Sequence, residues 1–583
     1  MFIDALPKGP EITLEDMLEA REQRVNRQRR MLEIYGCALV SFTLNIAGSV
    51  KTFALAKRTF DEGVLQISRR LARGGWVITH DGSLDALTDK PTGYEALWAV
   101  QAAPLDLKRS MAAIEEGFPL GRLFDIDVIG PDGAGLDRRQ VGLQERACLV
   151  CGSLGAGCAR NRNHPVEEIL RSSMAIMGGF FREQLAGRIS RCAIRALLHE
   201  ACITPKPGLV DRTNSGAHLD MDIFTFMDSA GALSGYFGDV ALIGLSHPHA
   251  PADALLPSLR YRGQLAEDAM LTATGGVNTH KGLIFSLGLL CAALGQALAE
   301  GQAVAPGQEA FDGQAAALGQ ASLLENVQKQ ADVESQAAAS GNVPEYAPVC
   351  APVLEYAPED SLPPTLDDTL IRCSRIAGPI LDDLVSTGQS NAPGRSDIPG
   401  HSDAPGHSDA PEHSDAPEHS DAPGRSDAPE HSDVLGHSPG PDRHNTFATR
   451  GLALYAQYGL TGVRGEAAAG FPSVRLWGFP ALKGRLSAGA SLNDAGVAAL
   501  LNLIAHVADT NIIGRSDVQT LEALQAELKG LLEGEALGTD ALITLAQELD
   551  ERFIASNISP GGCADLLAVT LALHFMEQEM LIR

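Results

Sequence analysis

Leu185-Ala-Gly-Arg-Ile-Ser-Arg-Cys-Ala-Ile-Arg-Ala-Leu197 divides the chain into two kinds of sequence. Leu185, Ile189, Cys192, Ala193, Ala196 and Leu197 recur at helical spacing. The same period returns at 223–243, 264–272, 283–299, 495–508, 517–533 and 563–580, and strand signals almost vanish. Before this stretch the pattern is mixed. Val40-Ser-Phe-Thr-Leu-Asn-Ile46 is β-branched and aromatic, Phe124-Asp-Ile-Asp-Val-Ile129 alternates apolar with acidic, and 13–34 is a charged helix. The expectation is a multidomain chain, with an α/β or α+β domain at 1–183 and an all-α domain at 184–583.

Two low-complexity stretches interrupt the helical part. Residues 301–362 are rich in Ala, Gln, Gly and Pro, and 394–441 form a hexapeptide array of the type Gly-His-Ser-Asp-Ala-Pro. With proline in seven of its eight periods and few apolar side chains, the array cannot bury a core and reads as a disordered loop. Between the two, Leu366, Leu370, Cys373, Ala377, Leu381 and Leu384 mark one helix returning to the core.

The chain has 583 residues and a net charge of -27, which argues against nucleic-acid binding. No apolar leader is read at Met1–Glu11, and ten cysteines in a chain this long suit a reducing cytoplasm. The uncharged run Gly282–Ala299 is short for a membrane span and reads as a buried core helix.

Chemistry-bearing residues gather in two places. The first is 121–164. Asp125 and Asp127, two apart on a strand, point to one face and suit a Mg²⁺ ion bridging phosphate oxygens. Arg122, Arg138, Arg139, Arg146 and Arg160 surround them in sequence, and an arginine fork suits a polyphosphate. Cys148, Cys151, Cys158 and His164 have zinc-ligand spacing; the competing reading is small buried residues around a Gly-rich turn.

The second is the polar loop Thr204–Asp222, which carries Lys206, Asp211, Arg212, Asn214, His218, Asp220 and Asp222 between helical flanks. Asn278, Thr279, His280 and Lys281 precede a long apolar helix, where free amides favour an anion. Arg464 and Glu466, then Asp509, Asn511 and Arg515, then Ser559 to Asp565, are further polar knots at helix ends. Their number in an apolar helical domain points to one shared pocket for a phosphate-rich ligand; each alone is an ordinary cap.

Gly121-Arg-Leu-Phe-Asp-Ile-Asp-Val, Arg146-Ala-Cys-Leu-Val-Cys, Cys158-Ala-Arg and His164, with Ala20-Arg-Glu-Gln-Arg and Leu39-Val-Ser-Phe-Thr, resemble the holo-citrate-lyase synthase family, the apo-citrate lyase phosphoribosyl-dephospho-CoA transferases. The resemblance covers about 10–180. It implies a nucleotidyltransferase-like site in which Asp125 and Asp127 hold the metal. The implied reaction moves a triphosphoribosyl-dephospho-CoA group to a serine of the acyl carrier protein, the gamma subunit of citrate lyase, with loss of pyrophosphate.

Pro205-Lys-Pro-Gly-Leu-Val-Asp-Arg, Gly216-Ala-His, Gly276-Val-Asn-Thr-His-Lys-Gly, Leu460-Thr-Gly-Val-Arg-Gly-Glu-Ala and Ser559-Pro-Gly-Gly resemble the triphosphoribosyl-dephospho-CoA synthase family. This second resemblance covers 185–300, 363–385 and 445–583. The chain departs from it at Arg515-Ser516-Asp517, where the family usually has Arg-Gly-Gly, and at Cys563, usually Ser. The implied reaction joins ATP to 3′-dephospho-CoA and releases adenine. It would place Lys206, Arg212, Lys281 and Arg464 on phosphates, with Asn214, Asn278, Asn511 and Arg515 as further ligand contacts. Asp211, Asp220, Glu466 and Asp509 are candidates for metal binding or general base, and His218 and His280 for acid, base or hydrogen-bond donor. The sequence leaves these roles unassigned one by one. It also leaves open a single working half, the equivalent role in malonate decarboxylase maturation, and a non-catalytic factor that binds the carrier protein.

Overall fold

The computed structural model describes residues 7–153, 155–301, 363–390, 460–532 and 537–582. Of the stretches 301–362 and 394–441, expected to be low in structure, all but Gly301 lies outside the described residues.

The N-terminal part is built on a four-stranded antiparallel sheet of order β2-β3-β1-β4, with β1 Ala38–Leu44, β2 Val77–His80, β3 Glu95–Gln101 and β4 Phe124–Ile129. All pairings are antiparallel, so the α+β alternative is the one realised. Neither β2 nor β3 was singled out by the sequence pattern. Helices α1 Leu14–Tyr35, α2 Ala54–Arg73 and α3 Pro104–Gly117 surround the sheet, and a short helix α4, Gly155–Asn161, follows β4. Thr13 opens α1 through a capping box with Asp16, and Gly36 closes it at φ 60°.

The period of two gives the sheet two unlike faces. Val40, Phe42, Ala96, Trp98, Val100, Phe124, Ile126 and Val128 belong to the main core of this part. Ser41, Thr43, Glu95, Leu97, Asp125 and Asp127 alternate with them, and Leu39, Ala99 and Ile129 pack with Met31, Leu32 and Tyr35 at the end of α1. The second face is thus apolar at one end and polar at the other.

Helix α5, Val166–Cys202, runs for 37 residues. Its Leu170, Met177 and Phe181 enter the core of the sheet. Its Ala186, Ile189, Cys192, Ala193, Ala196 and Leu197 enter the core of the helical part. The change in sequence character near 184 therefore falls inside one continuous helix, not at a linker.

The rest of the described chain is helical. Helices α6 Ile223–Ala232, α7 Tyr236–Ser246, α8 Ala252–Ala273 and α9 Lys281–Gly301 come first, followed by Leu366–Ser390, Gly462–Ala468, Phe479–Ser487, Leu492–His506, Thr510–Arg515, Val518–Leu532, Thr539–Ala555 and Gly561–Gln578. Helix α9 is long and apolar enough to cross a membrane, but 89% of its most apolar window is buried in the protein, as a core helix should be. Helices α7 and α9 cross closely. A Cβ on Gly244 would lie 2.0 Å from the Ala292 carbonyl oxygen, so only glycine permits that approach.

Candidate functional sites

Asp125 and Asp127 lie side by side on the polar face of β4, both exposed, opposite Thr43 and Ser41 of β1. β4 is an edge strand, and its free edge is satisfied by α3. Glu115 Oε1 accepts from the Ile126 amide at 3.0 Å, and Lys108 Nζ donates to the Ile126 carbonyl at 3.0 Å. Both side chains are buried. They fix the one residue that separates the two aspartates, so the carboxylates are held in register by the backbone between them.

The carboxyl of Asp127 titrates above its ordinary value, first through desolvation and then through Asp125; Lys108 and Arg24 oppose the shift. Arg24 of α1 is a residue the sequence reading passed over, although it closes the quoted motif Ala20–Arg24. Its Nε donates to Glu95 Oε1 at 3.0 Å, and its charge is felt by both aspartates.

The neighbouring arginines are largely engaged. Arg146 donates to the Phe124 carbonyl at 2.8 Å and pairs with Glu115. Arg138 bridges Glu115 and Glu116, Arg139 pairs with Glu145, and Arg122 donates to the Ala147 carbonyl. Arg160 is exposed. The first four brace the segment that follows β4.

Cys148, Cys151, Cys158 and His164 converge, with one ligand atom from each lying within 4.8 Å of all the others. Ser153 and then His164 and Cys158 favour the Cys151 thiolate, drawing its pKa down to about 6. Cys158 moves the other way, because the two sulfurs compete for the same charge.

In the helical part a cleft of about 390 Å³ collects residues from seven segments. Lys206, His218, Asn278, Lys281, Arg464, Asn511 and Arg515 all line it, so seven of the expected residues share one wall system. Arg515 holds the loop in place by donating to the Ala217 carbonyl at 2.9 Å and Asn557 Oδ1 at 3.0 Å. His218 Nε2 lies 2.9 Å from Ser559 Oγ, and burial, then Arg515, keeps its pKa below the ordinary value. The Asn278 side chain accepts from the Lys281 amide, and Lys281 Nζ lies 2.8 Å from Glu267.

Other expected residues do not line this cleft. Asp211 is buried and organises its own loop, accepting from the amides of Lys206, Thr213 and Asn214 and from the Thr213 hydroxyl. Arg212 is exposed and turns to Thr204 and Asn493. Asn214 donates to buried Asp550 at 2.8 Å, and Asp550 also accepts from the Gly208 amide. Asp220 is exposed, 3.8 Å from His218. His280 is buried behind the wall, 2.6 Å from Ser229 Oγ, and burial brings its pKa down to about 3. Asp509 caps Thr510–Arg515 and accepts from the Cys563 amide at 2.8 Å; with Glu466 it lines an adjoining recess.

Two carboxylates also line the cleft: Glu200 of α5, which the sequence reading missed, and Asp565 of Gly561–Gln578, from the polar knot expected at 559–565. Lys206 Nζ pairs with Glu200 Oε1 at 2.6 Å, with both side chains shut from solvent. Burial, then Glu200 and Asp509, raises the Asp565 carboxyl well above its ordinary value. No local pattern marks Glu200, one acid in a long helix; Asp565 was visible only as part of the knot at 559–565.

Two family descriptions match along the chain. That of apo-citrate lyase phosphoribosyl-dephospho-CoA transferase covers residues 12–178. That of ATP:dephospho-CoA triphosphoribosyl transferase covers 186–347 and 416–583. Protein CitXG of Haemophilus influenzae is 29% identical over 97% of this chain and 96% of its own length. The 2-(5''-triphosphoribosyl)-3'-dephosphocoenzyme-A synthase of Haemophilus ducreyi is 30% identical over 72% of this chain and 98% of its own. The probable synthase of Pectobacterium carotovorum is 32% identical over 67% and 90%. The chain therefore belongs to the ATP:dephospho-CoA triphosphoribosyl transferase family and carries an apo-citrate lyase phosphoribosyl-dephospho-CoA transferase domain fused ahead of it, two transferases on one polypeptide.

Proposed function

We propose that the helical part makes the citrate lyase prosthetic-group precursor from ATP and 3′-dephospho-CoA, and that the sheet domain attaches it to a serine of the acyl carrier protein, the gamma subunit of citrate lyase. The observation that carries this reading is the cleft in which Lys206, Lys281, Arg464 and Arg515 face the carboxylates Glu200 and Asp565. Cations suit a triphosphate; carboxylates suit a divalent ion, a proton acceptor and a positively charged sugar carbon.

In the first step the 2′-hydroxyl of dephospho-CoA attacks C1′ of the ATP ribose. The bond from C1′ to adenine breaks, the hydroxyl proton passes to a base, and adenine leaves as the neutral purine after gaining a proton. Asp565, already biased towards holding a proton, suits the proton transfer. Lys281 and Arg464 orient the triphosphate, and Asn278 and Asn511 supply neutral donors. His218, held by Ser559 and disfavoured as a cation by burial and then by Arg515, positions polar groups without adding charge.

In the second step the serine hydroxyl of the carrier attacks the phosphorus nearest the ribose, its proton passes to a base, and pyrophosphate leaves with the bridging oxygen. Asp125 and Asp127 fit a Mg²⁺ ion, because a divalent cation offsets what raises the Asp127 carboxyl, desolvation first and repulsion from Asp125 second. When bound, such an ion would neutralise phosphate charge. Arg24 would hold the phosphates from the side of α1. This makes the polar face nucleotidyltransferase-like in its chemistry. A reducing cytoplasm fits the described cysteines, none of which is paired.

The test is direct. Incubation with ATP, Mg²⁺ and dephospho-CoA should release free adenine; a folded protein that releases none would sink the synthase assignment. Asp125→Asn should stop labelling of the carrier serine and leave adenine release intact, and loss of both would contradict two separate sites.

A further inference from the structure

We propose that Cys148, Cys151, Cys158 and His164 bind a structural zinc ion that clamps the segment between β4 and α5. The inference rests on this cluster alone and holds or fails independently of the reaction assigned above.

The four ligand atoms have the spacing of a tetrahedral ion's shell. A tetrahedral site with Zn–S near 2.3 Å and Zn–N near 2.1 Å sets its ligand atoms about 3.5–3.8 Å apart. The four ligand atoms here lie within 4.8 Å of one another, and the Cys151 and Cys158 sulfurs are 3.4 Å apart, too far for a bond. Small shifts bring all four onto one ion.

His164 Nε2 is buried with no well-formed hydrogen bond and only the Cys151 sulfur to engage, while Nδ1 lies 3.2 Å from Glu168 Oε2. A buried ring nitrogen left with only a neighbouring sulfur is poorly satisfied, unless both are ligands of one metal. A carboxylate on the opposite nitrogen is the arrangement that orients a metal-bound imidazole.

In the turn between the first two cysteines, the Val150 amide points at Cys148 Sγ at 3.5 Å, and the Gly152 amide donates to the Cys148 carbonyl at 3.1 Å. Gly152 sits at φ 72°, which a glycine takes without strain. The short loop thus aims Cys148 and Cys151 at one point and gives a thiolate an amide donor.

The site's place in the fold suggests its use. Two residues before Cys148, Arg146 grips the Phe124 carbonyl and Glu115, which itself holds the Ile126 amide between the two aspartates. His164 lies two residues ahead of α5. Zinc would pin this segment from both ends and so steady β4 from outside the catalytic face.

The full-length protein, purified without chelator from zinc-supplemented cells under reducing conditions, should carry about one zinc per chain by elemental analysis. Cobalt exchanged into it should give thiolate-to-cobalt charge transfer and the intense visible bands of a tetrahedral site. The double variant Cys151→Ser, Cys158→Ser should lose the metal yet still release adenine, which reports that the helical part is folded. Glu168→Gln should weaken retention against a competing chelator by roughly 10–100-fold. A natural chain without zinc, zinc retained in the double variant, or a Cys151–Cys158 disulfide in the reduced cytosolic protein would each overturn the proposal.

Discussion

A Cβ on residue 282 would lie 1.8 Å from Asp565 Oδ2, so the first turn of α9 and the carboxylate of Asp565 meet with no space for a methyl group. Glycine costs helix stability, yet here it lets the carboxylate stand against the backbone beside Lys281. Gly282→Ala should push Asp565 out of the cleft wall and cost about 1–3 kcal/mol through overpacking. The expected result is a drop in adenine release larger than the fall in melting temperature explains. Normal turnover in a folded Gly282→Ala protein would show that the position of Asp565 is immaterial.

Lys206 and Glu200 form a closed ion pair, 1% and 2% exposed. Removing one partner leaves the other charge buried alone, at a cost of about 3–5 kcal/mol. Lys206→Met should therefore lower the unfolding midpoint markedly. Adding Glu200→Gln should recover much of the stability, because no uncompensated charge remains, while synthase activity stays low. If the double variant is as unstable as the single one, the pair is not the source of the loss.

His280 gives a pH dependence with a definite sign. Its pKa is brought from 6.5 to about 3 by burial first and the Lys206 charge second. The unfolded chain takes up the proton near 6.5 and the folded one only near 3. The neutral ring's contribution is thus complete above 6.5 and is lost as pH falls from there towards 3, by about 1.4 kcal/mol per pH unit. His280→Gln should flatten this acid limb between pH 6.5 and 5, measured by urea midpoints. An unchanged slope would mean that other groups set it.

How much of this was legible in advance differs from residue to residue. The period of two placed Asp125 and Asp127 on one face, and the structure has them there, because alternation is a local property of the backbone. The loop at 204–222 read as one wall of a pocket, and Lys206 and His218 do line the cleft. Asp211 and Arg212 sit between them in sequence but face elsewhere, since a turn reverses side chains in a way composition does not encode. Arg138 and Arg146 looked like phosphate ligands; Glu115 engages both, and only folding brings α3 beside them. Glu200 and Asp565 come from helices far apart in the chain, and their meeting is set by packing of α5 against Gly561–Gln578. The same holds for the junction near 184, where composition changes but the helix continues.

Arg24 offers the sharpest separation of the two sites. It is the cation that the charges of Asp125 and Asp127 feel from α1, and it restrains the rise of the Asp127 carboxyl. Arg24→Gln removes one charge-assisted contact to phosphate, worth about 1.5–3 kcal/mol, so KM for the precursor in carrier modification should rise roughly 10–100-fold. Asp127 has its pKa raised in the fold already, and loss of the cation raises it further. Metal binding needs the ionised form, so the acid limb of carrier modification should move to higher pH. Adenine release, which depends on the helical cleft, should be unchanged in both rate and pH profile. An acid limb that stays in place, with KM unaltered, would remove Arg24 from the site and leave the aspartates facing a different phosphate anchor.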